Sequence, residues 1–356
     1  MQGAGATKPT SVVAPRSAAD LIVQTPQGLY CPQGDFHIDP VRRVPRALIT
    51  HAHADHARAG HGAVLATAET LDIMHLRLGA NFCATRQALA YGETLDLVGV
   101  AVSLHPAGHV LGSAQALLRQ SGYRLVISGD YKRAFDPTCA PFELVRCDAF
   151  ITEATFGLPI FRHPPAEQEI ARLLASQKLF PERAHLVGAY SLGKAQRVIA
   201  LLRRAGYQRP IYLHGAMERV TAYYANRSKT MAAAMGDCRL IADIDFASMA
   251  GEIILCPPTS LADAWSRKFP DPLAAIASGW MRLRSRARQS GVELPLILSD
   301  HADWDELCAT MLETGATEIW ITHGQSEALT HFAHTRGLAA KSLNLLGYAE
   351  EENGAA

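Results

Sequence analysis

The sequence predicts an α/β protein built from two units, one inserted into the other. Short apolar runs separated by turns fill the chain up to about residue 163, as in β-rich structure. From Pro164 onward, helical periodicity alternates with strand-like runs, which favours a parallel sheet with crossover helices. After Gly291 the order returns to strand, helix, strand, and the candidate metal ligands lie on both sides of the middle block. We therefore predict a discontinuous domain at 21–163 and 289–350, an inserted domain at 164–288, a flexible leader at 1–20 and a tail at 351–356.

Each element is predicted from its local pattern. In the first part, apolar runs bounded by turn residues predict strands at 28–39, 46–50, 63–66, 98–104, 114–118, 123–128 and 149–152. Helix-period spacing predicts one helix there, at 70–78. In the middle block we predict helices at 167–178, 194–205 and 217–226, and strands at 185–189, 210–213 and 252–256. The last part is predicted to form strands at 294–298 and 318–322 with a helix at 304–313.

Composition narrows the classes of function. Lys and Arg together number 34, as do Asp and Glu, so the formal net charge is zero and a site for a polyanion must be a local patch. The seven cysteines are scattered and never form a C-x-x-C pair, which is neither a disulfide framework nor a thiolate zinc site. No apolar run is long enough to cross a bilayer, and residues 1–20 lack the apolar stretch of a signal peptide. We therefore expect a cytoplasmic protein that does not contact a membrane.

The strongest chemical signal is the run His51-Ala52-His53-Ala54-Asp55-His56, directly after an apolar strand-like run. Three imidazoles and a carboxylate at a strand end are suited to binding two divalent cations. The small alanine spacers let the loop approach such ions closely. The segment therefore predicts a metal site.

Further candidate ligands follow in order along the chain. They are His109 in an Ala-Gly-His run, Asp130 in Ser-Gly-Asp, and His323 in Thr-His-Gly. Each lies beside an apolar strand-like run and next to a glycine, which allows close approach of the backbone to a ligand. Together with the first motif they supply enough donors for two coordination spheres.

These motifs resemble the series of sequence motifs of the metallo-β-lactamase superfamily. Asp39, which lies upstream of them, fits the same series. The segments at 152–157 and 299–303, with His323-Gly324, resemble the three motifs of its β-CASP branch, and the middle block resembles the β-CASP cap. The runs at 28–36, 156–164 and 188–196 are similar to the bacterial ligase-associated DNA damage response exonuclease family. The resemblance covers residues 21–348 and implies an αβ/βα sandwich with a dinuclear zinc site between its sheets.

The resemblance also implies a role for each motif residue. One zinc ion would be held by His51, His53 and His109, the other by Asp55, His56 and His323, and Asp130 would bridge them. Mn²⁺ is an alternative metal, and a water shared by the two ions would supply the hydroxide that attacks the phosphate. Asp39 would orient a metal-binding histidine. The catalytic set would be Asp55, Asp130, Glu153 and His301, with His301 as the general acid and Glu153 as its partner.

Substrate contacts are predicted at three places. Ser191, Gly193 and Lys194 join a strand to a helix, where backbone N–H groups and a lysine charge suit a phosphate. Arg162 and His163 are candidates for binding a terminal phosphate. The arginine-rich run at 282–288 is either a track for a nucleic-acid strand or an ordinary solvated face.

The activity implied is 5′-to-3′ exonuclease action on single-stranded DNA during repair, in association with an ATP-dependent DNA ligase and a helicase. Three alternatives stay open. His323 at the third β-CASP motif is also typical of RNA-processing nucleases. A small-molecule thioester or lactone hydrolase on the same sandwich would need neither a cap nor Glu153 and His301. A non-catalytic nucleic-acid scaffold would have lost metal ligands.

Overall fold

The computed structural model describes residues 15–242, 244–269 and 271–345, which form three six- or seven-stranded sheets and eight α-helices. Most of the predicted leader and the whole predicted tail lie outside these residues. The leader was predicted to extend too far, because Ala18–Asp20 form a 3-10 turn in which Ala18 is buried. The Ala18 backbone N–H donates to Glu318 Oε2 at 2.9 Å, which ties this turn to the body of the protein.

The first sheet is built from six strands in chain order. Its strands are β1 (Val23–Thr25), β2 (Gly28–Cys31), β3 (Phe36–Ile38), β4 (Arg46–Leu48), β5 (His61–Ala66) and β6 (Cys83–Ala88). The pairs from β3 to β6 are parallel, whereas β1, β2 and β3 pair antiparallel. Helix α1 (Ala68–Leu78) connects β5 to β6 and begins where the Thr67 side chain accepts a hydrogen bond from the Thr70 N–H. The run predicted as one strand at 28–39 is therefore two strands joined by a turn.

The second sheet begins with five consecutive strands. They are β7 (Thr94–Leu97), β8 (Val100–Pro106), β9 (Ala114–Gln120), β10 (Tyr123–Ile127) and β11 (Ala149–Ala154). The pairs from β7 to β10 are antiparallel, and β10 pairs with β11 in parallel.

The middle of the chain forms the third sheet, whose pairs are all parallel, as predicted. Its strands are β12 (His185–Gly188), β13 (Ile211–Leu213), β14 (Cys238–Leu240), β15 (Ile253–Cys256), β16 (Leu273–Ala277) and β17 (Leu294–Leu296). Its helices are α2 (Ala166–Leu179), α3 (Lys194–Arg204), α4 (Glu218–Ala225), α5 (Lys229–Met235) and α6 (Arg284–Gln289). Because β17 pairs with β16, the boundary predicted at 288 falls before the last strand of this sheet.

The end of the chain returns to the second sheet. Helix α7 (Trp304–Glu313) precedes β18 (Glu318–Gly324), and helix α8 (Ser326–Thr335) precedes β19 (Ala339–Ser342). Strand β18 pairs in parallel with β11 and with β19, so the second sheet combines strands from both sides of the inserted sheet.

One apolar core joins the first two sheets. Buried side chains of the first sheet, such as Leu29 and Ile38, share a cluster with Val102, Leu118 and Ile151 of the second. The opposite face of the second sheet is covered by α7, and the inserted sheet packs with α3 and with the outer face of the first sheet. Burial of a large aliphatic side chain contributes about 1.5–3 kcal/mol, so this sheet-on-sheet core fixes how the strand ends meet.

The helices among the described residues include none with the length and hydrophobicity required to span a lipid bilayer.

Candidate metal centre

The predicted ligands converge although they come from four separate segments. His51, His53 and His56 follow β4, His109 lies between β8 and β9, Asp130 follows β10, and His323 lies near the end of β18. All these side chains except that of His323 are nearly completely buried. The ends of strands from both sheets therefore meet at one centre.

One group of donor atoms is compact. His51, His53, His109 and Asp130 each offer a donor atom within 4.8 Å of the others. His109 Nε2 lies 3.0 Å from His53 Nδ1, and His51 Nε2 lies 3.4 Å from Asp130 Oδ2. Among the described residues, the buried His51 Nε2 has no hydrogen-bond partner. A buried nitrogen of this kind, aimed at other donors, fits a metal ligand.

A second group meets the first at Asp130. Asp130 Oδ2 lies 3.4 Å from His56 Nε2, and His56 Nε2 lies 3.6 Å from Asp55 Oδ2. The rings of His56 and His323 have centroids 5.3 Å apart. The same Asp130 oxygen thus lies between both groups, which is the arrangement that a bridging carboxylate requires.

The far nitrogen of each imidazole contacts a fixed oxygen. These contacts are His51 Nδ1 to Thr50 Oγ1 (3.1 Å), His53 Nε2 to the Leu192 carbonyl (3.2 Å), His56 Nδ1 to Asp39 Oδ2 (2.8 Å), His109 Nδ1 to the Asp300 carbonyl (2.8 Å) and His323 Nδ1 to Thr322 Oγ1 (2.6 Å). Such partners fix the ring orientation and the tautomer of a metal-binding histidine. Each ring is therefore held with its other nitrogen directed towards the centre.

Asp39 holds two parts of the first motif at once. Its carboxylate accepts hydrogen bonds from the Thr50 N–H at 2.8 Å and the Thr50 hydroxyl at 2.6 Å, besides the bond from His56. Its backbone has φ of +43°, in the left-handed region that Asp adopts more readily than most residues. The geometry is that expected of a residue that orients His56.

The electrostatics keep most of the rings neutral. Burial lowers the pKa of His51 and of His109 well below the usual value, and lowers that of His323 to about 3. Burial also opposes protonation of His56, but the carboxylates of Asp130, Asp55 and Asp39 outweigh it and raise its pKa. Neutral imidazoles beside carboxylates are the donor set that divalent cations such as zinc take. The residues present therefore fit the predicted pair of ions.

Glu153 and His301 form a buried pair beside this centre. His301 Nδ1 lies 2.9 Å from Glu153 Oε2, and the Tyr131 N–H donates to Glu153 Oε1 at 2.7 Å. Burial opposes the charged form of His301, but the Glu153 carboxylate raises its pKa well above the usual value. The His301 and His109 rings have centroids 4.6 Å apart, so the protonated ring lies next to the metal ligands. The arrangement can donate a proton at the centre.

Lys194 does not lie where a phosphate could reach it, and the role predicted for it is wrong. The side chain is fully buried, and Nζ lies 2.6 Å from Asp300 Oδ1 and 3.2 Å from the Leu298 carbonyl. The Gly193 N–H donates to Gln196 Oε1 at 2.8 Å, so this predicted phosphate donor is also occupied. Ser191 is half-buried, and its phosphate contact stays a prediction.

Arg162 and His163 differ in environment. Arg162 is exposed and pairs with Asp305 at 2.8 Å. His163 lines a cavity of about 380 Å³, together with Lys132, Arg197 and Ser299. Among the described residues neither ring nitrogen of His163 has a hydrogen-bond partner, and burial lowers its pKa to about 3. The cavity lies next to the segment that carries His301, because the Lys132 ammonium donates to the His301 carbonyl at 3.3 Å.

Sequence reasoning missed the groups that hold the ligands in place. Thr50, Asp300 and the Leu192 carbonyl contact the ligand rings, and Lys132 and Arg197 are buried cations close by. Carbonyl oxygens have no sequence signature. A charged pair such as Lys194 and Asp300 is separated by 106 residues and is recognised only once the chain has folded.

The chain has relatives among known proteins. The chain is 29% identical over 322 residues to a "Probable DNA ligase" of Opitutus terrae, covering 89% of this chain and 30% of that protein. It is 28% identical over 220 residues to "Transcription termination factor FttA" of Thermococcus kodakarensis, covering 50% of this chain and 34% of that protein. It is 31% identical over 137 residues to "Endoribonuclease ysh-1" of Neurospora crassa, covering 35% and 16%. The chain thus spans about a third or less of the length of these relatives.

One solved structure, a protein of unknown function from Enterococcus faecalis, has a similar fold. The TM-score is 0.54 at 13% sequence identity, covering 78% of this chain and 74% of the other. No family model matches the chain.

Two facing sheets with a buried cluster of imidazoles and carboxylates at their strand ends define an α/β protein with a candidate divalent-metal centre. The order of the motifs and the relatives above add to this: the chain is similar to proteins of the β-CASP branch of the metallo-β-lactamase superfamily.

Proposed function

We propose that this chain is a divalent-metal-dependent nuclease that hydrolyses single-stranded DNA as a 5′-to-3′ exonuclease in DNA repair. The observation that carries the proposal is Asp130 Oδ2, which lies 3.4 Å from both His51 Nε2 and His56 Nε2. This geometry supports two adjacent cations, one with His51, His53 and His109 and the other with Asp55, His56 and His323. Zinc is the metal proposed, with Mn²⁺ as the alternative.

When bound, the two ions would supply activation of a water molecule and neutralisation of phosphate charge. The protein itself would supply the proton for the leaving oxygen. His301 holds this proton because Glu153 stabilises its charged form. General acid catalysis of this kind contributes about 10²–10⁴-fold to a rate.

The cavity beside His163 supports a site for the terminal phosphate of the substrate. Lys132 and Arg197 are both buried there and carry positive charge, and the carboxylates of Glu167, Asp303 and Glu306 also line the cavity. Among the three exposed arginines on or near α6, Arg282 lies close enough to His163 to affect its pKa. A strand that enters along these arginines would reach the cavity and then the metal centre.

The choice of DNA rests on the match to the "Probable DNA ligase", which covers 89% of this chain. A nuclease that trims ends would act beside an ATP-dependent ligase that seals them. An association with a helicase and a cytoplasmic location stay predictions from the sequence. RNA is the second candidate substrate, because matches also include proteins named as an endoribonuclease and a termination factor, and because His323 is present.

The test uses DNA and RNA strands of matched sequence, labelled at either end, with and without a 5′ phosphate. Purified protein is assayed during titration with zinc or manganese. We expect mononucleotides to be released from the 5′ end of single-stranded DNA. Degradation of RNA alone would contradict the repair proposal, and hydrolysis that chelators leave unchanged would contradict the metal-dependent mechanism.

A further inference from the structure

We propose that the start of α3 is a positioning element for the metal centre, in which Lys194 and the Leu192 carbonyl hold the rings of His109 and His53. The inserted unit would then help to build the metal site, besides covering it. This inference rests on the proposed function, because it assumes that these two histidines bind a metal ion.

The first contact is direct. His53 Nε2 donates to the Leu192 carbonyl at 3.2 Å, which leaves His53 Nδ1 directed towards His109 Nε2 at 3.0 Å. Gly193 allows this approach: its φ is +85°, and a Cβ atom there would lie 2.3 Å from Val110 Cγ1. Val110 follows His109, so the loop before α3 packs against the side chain of the residue next to a ligand. A side chain larger than hydrogen at position 193 would push the two segments apart.

The second contact runs through Asp300. Lys194 Nζ lies 2.6 Å from Asp300 Oδ1, and the Asp300 carbonyl accepts the hydrogen bond from His109 Nδ1 at 2.8 Å. Lys194, Asp300 and His109 are all almost completely buried. Lys194 also donates to the Leu298 carbonyl at 3.2 Å. The lysine therefore fixes the segment whose carbonyl orients the ligand.

Arg197, one turn further along α3, contacts the same segment. Its guanidinium donates to the Ser299 carbonyl, and its Nε lies 3.5 Å from Asp136 Oδ2. Both cations of this helix turn thus hold residues 298–300, directly before His301. Lys194 and Arg197 are buried and contact consecutive backbone carbonyls, which phosphate binding at the protein surface would not require.

Loss of the lysine charge would leave the Asp300 carboxylate buried without its partner. Such a carboxylate moves towards solvent or water enters beside it, because an unpaired buried charge is unfavourable. The Asp300 carbonyl would shift with it and release the His109 ring. Mutation of groups that orient a metal ligand weakens metal binding about 10–100-fold.

The experiment compares Lys194→Met and Lys194→Arg in the full chain, with Lys178→Met as the matched control. Lys178 lies in the inserted unit on α2 and is exposed. Zinc affinity is measured by competition with a chromophoric chelator, and kcat and KM for single-stranded DNA are measured at saturating metal. We expect Lys194→Met to bind zinc about 10–100-fold more weakly with an unchanged KM. Lys194→Arg keeps the charge and should recover part of the affinity, and Lys178→Met should match the wild type.

Two results would overturn the inference. One is wild-type zinc affinity in Lys194→Met; the other is a raised KM with intact zinc affinity, which would make Lys194 a phosphate ligand. If Lys194→Met does not fold, the double variant Lys194→Met/Asp300→Asn removes both charges, and wild-type affinity there would be equally contradictory. A wild-type chain that binds no zinc or manganese would instead refute the proposed function, and this inference with it.

Discussion

At the scale of single residues, Asp130 is the group on which both halves of the centre depend. Its Oδ2 atom lies within 3.8 Å of His51, His56 and His109. Burial alone would raise the pKa of this carboxyl, but the charge and the hydrogen bond of His56 hold it well below the usual value. The carboxylate is therefore charged and available as a ligand.

We predict that Asp130→Asn loses bound metal and slows hydrolysis by roughly 10³-fold or more, since a metal ion contributes several kcal/mol of charge stabilisation. Metal content by mass spectrometry and turnover on labelled DNA check this. The control is Asp263→Asn, at an exposed position in the inserted unit. Wild-type turnover in Asp130→Asn would contradict the bridging role.

Glu153→Gln tests the proton donor without removing a predicted ligand. The amide no longer stabilises protonated His301, so we expect kcat to fall by about 10²–10⁴-fold while the metal content per chain is unchanged. His301→Ala should behave in the same way, and Glu218→Gln, at an exposed position on α4, serves as the control. Metal loss in either active-site variant would show that its residue is a ligand.

The sequence was most informative at this scale where the signal is local. Three histidines and Asp55 lie within six residues, so their shared role did not depend on knowing the fold. The prediction for Lys194 also depended on a local pattern alone, because a glycine and a lysine at a helix start are typical of phosphate-binding loops. Its partner Asp300 is 106 residues away and changes the meaning of that local pattern.

At the scale of elements, the ligand loops depend on glycines in the left-handed region. Gly108 has φ of +73°, and a Cβ atom there would lie 2.2 Å from the Lys132 carbonyl. Gly324 has φ of +77°, with the Ala154 carbonyl equally close. These positions let the loops carrying His109 and His323 pass directly over neighbouring backbone.

We predict that Gly108→Ala lowers the free energy of unfolding by more than about 2 kcal/mol, because it adds a steric clash to the 1–2 kcal/mol of left-handed strain. Gly206→Ala is the matched control: its φ is +85°, but no atom lies within 4 Å of the added Cβ. Thermal unfolding of both variants separates the clash from the strain. Equal losses of stability would contradict the close approach at Gly108.

Elements with strong local signals were predicted closely, whereas weak edge strands were missed. Helix α7 occupies 304–313 as predicted, because Asp303 and Glu306 form a capping box at its start. Strand β6 was missed because its residues are mostly exposed and lack an apolar alternation. Strands β7 and β19, at the edges of the second sheet, were missed as well.

At the scale of the whole molecule, the insertion was predictable but its internal contacts were not. The order of motifs indicated that one unit interrupts another, and β18 does pair with β11 across the inserted sheet. The boundary was misplaced at 288 because the run before β17 is polar and arginine-rich, which gives no sign of a sixth strand. That the inserted unit contacts ligand rings is a tertiary property that sequence patterns do not record.

Metal removal should destabilise the whole protein, because ions bound only by the folded state stabilise it by mass action. At a free metal concentration of about a thousand times Kd, this stabilisation is about 4.1 kcal/mol for one site. We therefore predict that a chelator lowers Tm and that zinc or manganese restores it. Asp130→Asn should show a much smaller shift, and a wild-type Tm unaffected by chelation would contradict a structural contribution from the ions.

The proposed pair of metal ions is tested most directly by a crystal structure of zinc-loaded protein, with anomalous data collected on both sides of the zinc absorption edge. We expect two adjacent anomalous peaks, one contacting His51, His53 and His109, the other contacting Asp55, His56 and His323, with Asp130 contacting both. Absence of peaks among these residues, or peaks only elsewhere on the protein, would contradict it.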